Sequence, residues 1–166
     1  MKKVQPMPLT LENMIARTKT GDATILLNSK EAKVFHVEFG DQENEGVVVR
    51  VWPWRLAIEN DLGTYEFARH MDMMEFFRDK NLGAWVNGVL DQDLPEALSV
   101  MAHMKFEPNE NALSAYIEGH PDMPNRHFLR ACAQVVKAVE AFDNQVTFRC
   151  LAGRSLPSRS QSLSFG

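Results

Sequence analysis

The side chains best suited to metal binding or acid–base chemistry are the five histidines, because imidazole is a common metal ligand and titrates near neutral pH. His120, Asp122 and His127 form the only cluster close in sequence that combines two histidines with a carboxylate. Two imidazoles and a carboxylate could fill three positions around a metal ion. Their spacing matches no zinc signature, however, and Pro121 and Pro124 interrupt it. A loop that leads into a helix accounts for the same residues, so we predict no metal site.

Two further patterns could support catalysis. Glu66 and His70 are four residues apart in a segment predicted to be helical and could pair as acid and base, but a charged, solvated helix surface explains them better. Cys132 falls in the apolar stripe of a predicted helix, and Cys150 alternates with apolar residues of a predicted strand, so both cysteines are expected in the core. No short motif for nucleotide binding or hydrolysis occurs. The sequence therefore predicts no catalytic residue and no cofactor.

The least ordinary segment is Arg50–Arg55, which has the sequence RVWPWR. We call it the tryptophan–arginine segment. On an extended chain Arg50, Trp52 and Trp54 would project from one face. Tryptophan beside arginine is typical of protein-binding hot spots and of platforms that stack single-stranded nucleic acid. Burial of both indoles beyond a strand end is the alternative, and we favour it slightly because aromatic burial stabilises a core. If the indoles are exposed, Arg50, Trp52, Trp54 and Arg55 are the predicted partner-binding residues, with the guanidinium groups stacked on the indoles.

A second candidate contact lies in the tail, residues 153–166, whose five serines, two arginines and proline predict disorder. Leu163 and Phe165 give this tail apolar anchors that a partner could bind, although a frayed terminus is the favoured alternative; in both cases the tail is expected to be dispensable for the fold.

The elements that would position these residues follow from the hydrophobic pattern. Alternation predicts early strands, including a hairpin in which Phe35, Val37 and Phe39 face the core. A helical stripe from Phe128 to Phe142 is the clearest helix. The full prediction comprises helices over 11–19, 64–80, 94–105, 110–118 and 124–142, and strands over 23–28, 33–39, 46–52 and 146–151.

This order predicts an α+β fold with a small, mainly antiparallel sheet of about three to five strands and a C-terminal half that is mostly helical. Residues 1–152 form one expected domain, and 45% apolar with 24% charged residues is the balance of a globular protein. The sequence contains no run of 18 apolar residues, so it predicts no membrane-spanning helix. The chain has only two cysteines, too few for a disulfide framework, and no secretory signal is recognised. Both observations favour the cytoplasm.

These observations favour a non-catalytic protein-interaction module, such as an inhibitor, adaptor or accessory subunit, whose partner is another protein or a second copy of the chain. One alternative is a small enzyme that uses His70, His120 or His127, but no catalytic motif supports it. The other is a single-stranded nucleic-acid binder that uses the tryptophan–arginine segment. A net charge of −4 gives no general attraction for phosphate and disfavours that reading.

Overall fold

The computed structural model has an α+β architecture, a six-stranded antiparallel sheet with helices packed against it. It describes residues 10–40, 46–79, 82–83, 86, 104–120 and 126–155. In chain order the elements are α1 (Leu11–Arg17), β1 (Asp22–Asn28), β2 (Lys33–Glu38), β3 (Val47–Trp52), β4 (Arg55–Asn60), β5 (Gly63–Ala68), α2 (Met73–Arg78), β6 (Met104–Pro108), α3 (Glu110–Gly119) and α4 (Arg126–Ser155). The fold class is as predicted, with one strand more than the expected range.

The strands follow one another across the sheet in the order of the sequence. Because neighbouring strands are in matched register, one row of apolar residues crosses all six strands. The row consists of Ile25, Phe35, Val49, Ile58, Tyr65 and Phe106. Side chains alternate between the two faces of a strand, so this row fixes which face of the sheet is apolar.

Helix α4 covers that face. Phe128, Cys132, Val135, Val139 and Phe142 are buried, which confirms the helical stripe predicted from the sequence. The rings of Phe35 and Phe142 meet at 4.7 Å between centroids. Each such side chain contributes about 1.5–3 kcal/mol when fully buried, so the contact between α4 and the sheet is the main stabilising layer. Cys132 acts here as a small apolar residue, and burial raises the pKa of its thiol.

The predicted helix over residues 64–80 is wrong. Residues Gly63–Ala68 form β5, and only Met73–Arg78 are helical, beginning after the N-cap Asp72. Tyr65 and Phe67 alternate with polar neighbours and are buried between β4 and β6, so strand pairing overrides the helical spacing of the later apolar residues. The predicted helix over 94–105 is wrong at its end, since β6 begins at Met104; residues 87–103 lie outside the described residues.

The predicted final strand is also wrong, because α4 continues through residues 146–151 to Ser155. Asp143 was expected to end the helix, but its carboxylate accepts hydrogen bonds from Arg78 at 2.9 and 2.6 Å instead of competing for the backbone. Cys150 therefore lies on a helix. The expected boundary between domain and tail at residue 153 falls inside α4, and residues 156–166, with Leu163 and Phe165, lie outside the described residues.

Within the part of the chain that the structure describes, none of the helices combines the length and the apolar character that crossing a bilayer requires.

Candidate interaction surface

The tryptophan–arginine segment forms the turn between β3 and β4. Trp52 and Arg55 are the last paired residues, so Pro53 and Trp54 make a two-residue connection. The proline ring fixes a negative φ at the first position, and Trp54 has a φ of 66° at the second, which is the arrangement of a type II turn. Glycine is preferred there, since a left-handed conformation costs other residues about 1–2 kcal/mol. The hairpin thus holds an indole where the backbone favours glycine.

Both indoles are exposed, so the slightly favoured expectation that they fill the core is wrong. Trp52 exposes 41% of its surface and Trp54 exposes 52%. On β3 the buried valines alternate with Val48, Arg50 and Trp52, which lie on the face of the sheet opposite α4. The indole of Trp52 is exposed because it belongs to this open face.

Trp54 is fixed in place by the segment that follows β5. Its ring stacks on the imidazole of His70 with 4.2 Å between centroids and 23° between planes. The backbone N–H of Arg69 donates a hydrogen bond to the Trp54 carbonyl at 3.1 Å. One neighbouring segment therefore fixes the backbone of Trp54 by a hydrogen bond and orients its exposed indole by the stack.

The two arginines were expected to stack on the indoles, and that expectation is wrong. Arg55 forms an ion pair with Glu66 at 3.3 Å, and Arg50 approaches Glu59 to 4.0 Å. These carboxylates come from neighbouring strands, where cross-strand geometry brings opposite charges together. Glu66, which the sequence suggested as an acid–base partner of His70, is thus committed to an ion pair.

A pocket of about 210 Å³ lies beside the indoles. Trp52, Pro53 and Trp54 line it together with residues 30–33 of the β1–β2 turn. Met74 at the start of α2 is also part of its lining. The charges are mixed, because Lys30 and Lys33 are accompanied by Glu31 and Asp72. A small apolar side chain flanked by a polar group would fit this composition.

Three more exposed apolar residues belong to the same end of the sheet. Leu26 and Leu27 lie at the end of β1, and Met71 follows the end of β5. Both strand ends lie on the side of the sheet where β3 turns into β4. We call Leu26, Leu27, Trp52, Trp54 and Met71 the tryptophan end. It holds five of the seven large apolar residues that are exposed in the described part of the chain; the other two are Ile117 and Phe148.

His120 and His127 both make structural contacts. Nδ1 of His120 is hydrogen-bonded to the Tyr116 carbonyl oxygen at 2.8 Å, which helps to close α3. His127 is 5% exposed and is hydrogen-bonded through Nδ1 to the hydroxyl of Tyr65. Burial lowers the pKa of His127 to about 4, so its ring is neutral at pH 7, and the tautomer decides whether Nδ1 accepts from the Tyr65 hydroxyl or donates to it.

The surroundings of His127 tie α4 to the sheet. Arg130 forms an ion pair with Asp61 in the β4–β5 turn at 2.8 Å, and Gln134 accepts a hydrogen bond from Asn60 at 2.8 Å. These contacts satisfy polar groups that α4 would otherwise bury alone. Among the described residues no three His, Cys, Asp or Glu side chains come together as metal ligands, and Asp122 lies outside that part of the chain.

Sequence reasoning found the tryptophan–arginine segment but missed Leu26, Leu27 and the Tyr65–His127 pair. An exposed leucine at a strand end has no signal of its own in a single sequence, and Tyr65 was assigned to a helix. No family model, no curated protein and no solved structure matches this chain.

Proposed function

We propose that this chain is a non-catalytic protein-interaction module, an inhibitor, adaptor or accessory subunit, that binds another protein through the tryptophan end. The observation that carries the proposal is the concentration of exposed large apolar side chains at this one end of the sheet. Scattered apolar residues are normal on a protein surface, whereas a group of them is typical of interaction sites.

The conformation of Trp54 supports the same conclusion. A half-exposed indole contributes less to stability than a buried one, and its positive φ is unfavourable for any residue with a Cβ. A residue held in a conformation that costs stability is a candidate for function. Because the stack on His70 already fixes the ring, little conformational entropy is lost when a partner covers it.

The two alternative functions have weaker support. A nucleic-acid platform needs its arginines for phosphate, but Arg50 and Arg55 are near Glu59 and Glu66. An enzyme needs an accessible base, whereas His127 is enclosed and has a pKa of about 4. A cytoplasmic location remains part of the proposal, because a buried free thiol such as Cys132 suits a reducing compartment.

The test is affinity capture from extracts of the native host, with the full chain, Trp54→Ala and Ile117→Ala as baits. Ile117 is 42% exposed on α3, so Ile117→Ala is a matched control that removes an exposed apolar side chain elsewhere. We expect proteins identified by mass spectrometry with the wild type and with Ile117→Ala to be lost with Trp54→Ala, while all three baits unfold cooperatively at similar temperatures.

Retention of the same proteins by Trp54→Ala would overturn the proposal. Loss of capture together with a fall in stability of about 3–5 kcal/mol would also overturn it, because truncation of a buried core aromatic has that cost.

A further inference from the structure

The sheet has two edge strands, because β1 and β6 each pair with a neighbour on one side only in the part of the chain that the structure describes. An edge strand directs a row of backbone N–H and C=O groups away from the sheet, where a further strand can pair with them. Proteins usually block such pairing with charged side chains or with proline. The two edges of this sheet differ in that respect.

Strand β6 carries both kinds of block. Lys105 and Glu107 form an ion pair at 3.1 Å, with 68% and 69% of their side chains exposed. Pro108, the last residue of the strand, has no N–H to donate to a neighbour. These features disfavour the addition of a strand beside β6.

Strand β1 has neither kind of block in its middle. Between Asp22 and Asn28 its sequence is ATILL, without a charged residue or a proline. Leu26 is 63% exposed and Leu27 is 46% exposed. An apolar and exposed edge of this kind is typical of strands that pair with another chain.

A bulge determines which part of this edge is regular. Between the residues paired with Phe35 and Val34 of β2, β1 contains one extra residue, Leu26. The extra residue turns Leu27 to the open face of the sheet, opposite α4, and so accounts for the exposure of both leucines. Because a bulge bends the strand that contains it, the regular part of the edge is Asp22–Ile25.

This regular part is complementary to a second copy of itself. In antiparallel pairing about a two-fold axis at Thr24, Thr24 meets its own copy and Ala23 lies opposite Ile25. Ala23 and Ile25 belong to the core face and Thr24 to the open face, so side chains of the same face meet. Asp22 lies opposite Leu26, so its charge does not face its own copy. Paired threonines are favourable across two strands, and the pairing opposes no like charges.

We propose that two copies of this chain associate through their β1 edges, antiparallel and about a two-fold axis at Thr24. The sheets of the two copies then form one continuous sheet. Since the axis is perpendicular to the sheet, both α4 helices lie on the same face of it. The two tryptophan ends point in opposite directions, and each stays open to a partner.

The proposed dimer is a reversible one. One short strand from each copy makes a small interface, below the roughly 1,200 Å² that stable complexes bury. The fraction of dimer therefore rises with protein concentration. This inference goes beyond the proposed function, because the occupant is a second copy and Trp52 and Trp54 take no part in the pairing.

The first experiment is sedimentation velocity over a series of concentrations with the full chain and with Thr24→Lys. Thr24 is exposed, so the lysine is tolerated by the fold but opposes a like charge at the axis. Thr64→Lys is the matched control, since it makes the same change on the open face of β5, which is paired on both sides. We expect the dissociation constant of the dimer to rise severalfold with Thr24→Lys and to stay unchanged with Thr64→Lys.

Three outcomes would overturn the proposal. A wild type that stays monomeric at every concentration shows that no second copy pairs with β1. A dimer that Thr24→Lys does not weaken uses another surface. A dimer that Trp54→Ala dissociates is formed by the tryptophan end instead. Capture of a partner by Thr24→Lys tests the proposed function separately, because this variant keeps both indoles.

The second experiment tests the direction and register of the pairing with single cysteines. Thr24→Cys and Asn28→Cys are each combined with Cys150→Ser and exposed to glutathione disulfide, while Cys132 is buried and stays in place. Opposed residues of antiparallel strands have Cα atoms about 4.5–5.5 Å apart, within the range of about 4.4–6.8 Å that a disulfide spans. Asn28 is four residues from the axis, so it lies about 26 Å from its own copy at roughly 3.3 Å per residue.

We expect Thr24→Cys to form a disulfide-linked dimer many times faster than Asn28→Cys. Equal rates would contradict the antiparallel arrangement, because a parallel pair in register or a nonspecific contact brings both positions together. A faster reaction of Asn28→Cys would contradict the axis at Thr24.

Discussion

Acidification should destabilise this protein through one buried group, His127. The imidazole has a pKa of about 4 in the folded protein and about 6.5 when the chain is unfolded. Between these values the unfolded chain binds a proton that the folded protein does not, so protons favour unfolding. The contribution of His127 to the free energy of unfolding is fully present above pH 6.5 and is lost as the pH falls toward 4.

The size of the effect follows from the difference of 2.5 pKa units between these values. At about 1.4 kcal/mol per unit, the complete loss is at most about 3.5 kcal/mol, of which about 2 kcal/mol is gone at pH 5. Of the total stability of a small domain, about 5–15 kcal/mol, this is a measurable fraction.

The assay is urea unfolding of the wild type and of His127→Gln at pH 7.5, 6, 5 and 4.5. Glutamine does not titrate, and its amide can accept a hydrogen bond from the Tyr65 hydroxyl or donate one to it, so the difference between the two proteins isolates His127 from the carboxylates. We expect the free energy of unfolding of the wild type to fall by about 2 kcal/mol more than that of His127→Gln between pH 7.5 and pH 5. Parallel pH profiles for the two proteins would refute the reasoning.

Three other outcomes can be checked by thermal or chemical unfolding. Trp54→Gly should be more stable than Trp54→Ala by about 1 kcal/mol, because both remove the indole but only glycine tolerates the positive φ; equal stability would mean that the turn relaxes. Tyr65→Phe should cost about 1–3 kcal/mol, since it leaves Nδ1 of His127 buried without its hydrogen-bond partner, and no loss would show that the two side chains are not hydrogen-bonded. Val135→Asp should abolish cooperative folding by placing a charge under α4, and a soluble, cooperatively unfolding variant would contradict the burial of that position.

Local patterns predicted the parts of the fold whose burial shows in the sequence. Phe35, Val37 and Phe39 alternate, and all three are buried. The stripe of α4 repeats at helical spacing because one side of the helix rests on the sheet. β5 was missed because Phe67 also fits a helical pattern with the residues after it, and only pairing with β4 and β6 decides between the two.

The candidate site was predicted in composition but not in exposure. The sequence shows that Arg50, Trp52 and Trp54 are close together, but whether an indole is buried depends on which sheet face α4 covers. The partners of the arginines depend on strand register, which brings in Glu59 and Glu66 from other strands. These are long-range properties, and a pattern read along one segment does not contain them.

The position of α4 at the end of the fold has a consequence for biosynthesis. The first four strands are complete at Asn60, but the last core residue of α4, Phe142, follows 82 residues later. At about 5–20 residues per second, translation leaves the sheet without its main helix for roughly 4–16 seconds. During that time α1 and α2 are the described helices nearest in sequence that can cover the apolar face of the nascent sheet. A message truncated before α4 would therefore yield an aggregating fragment instead of a smaller stable domain.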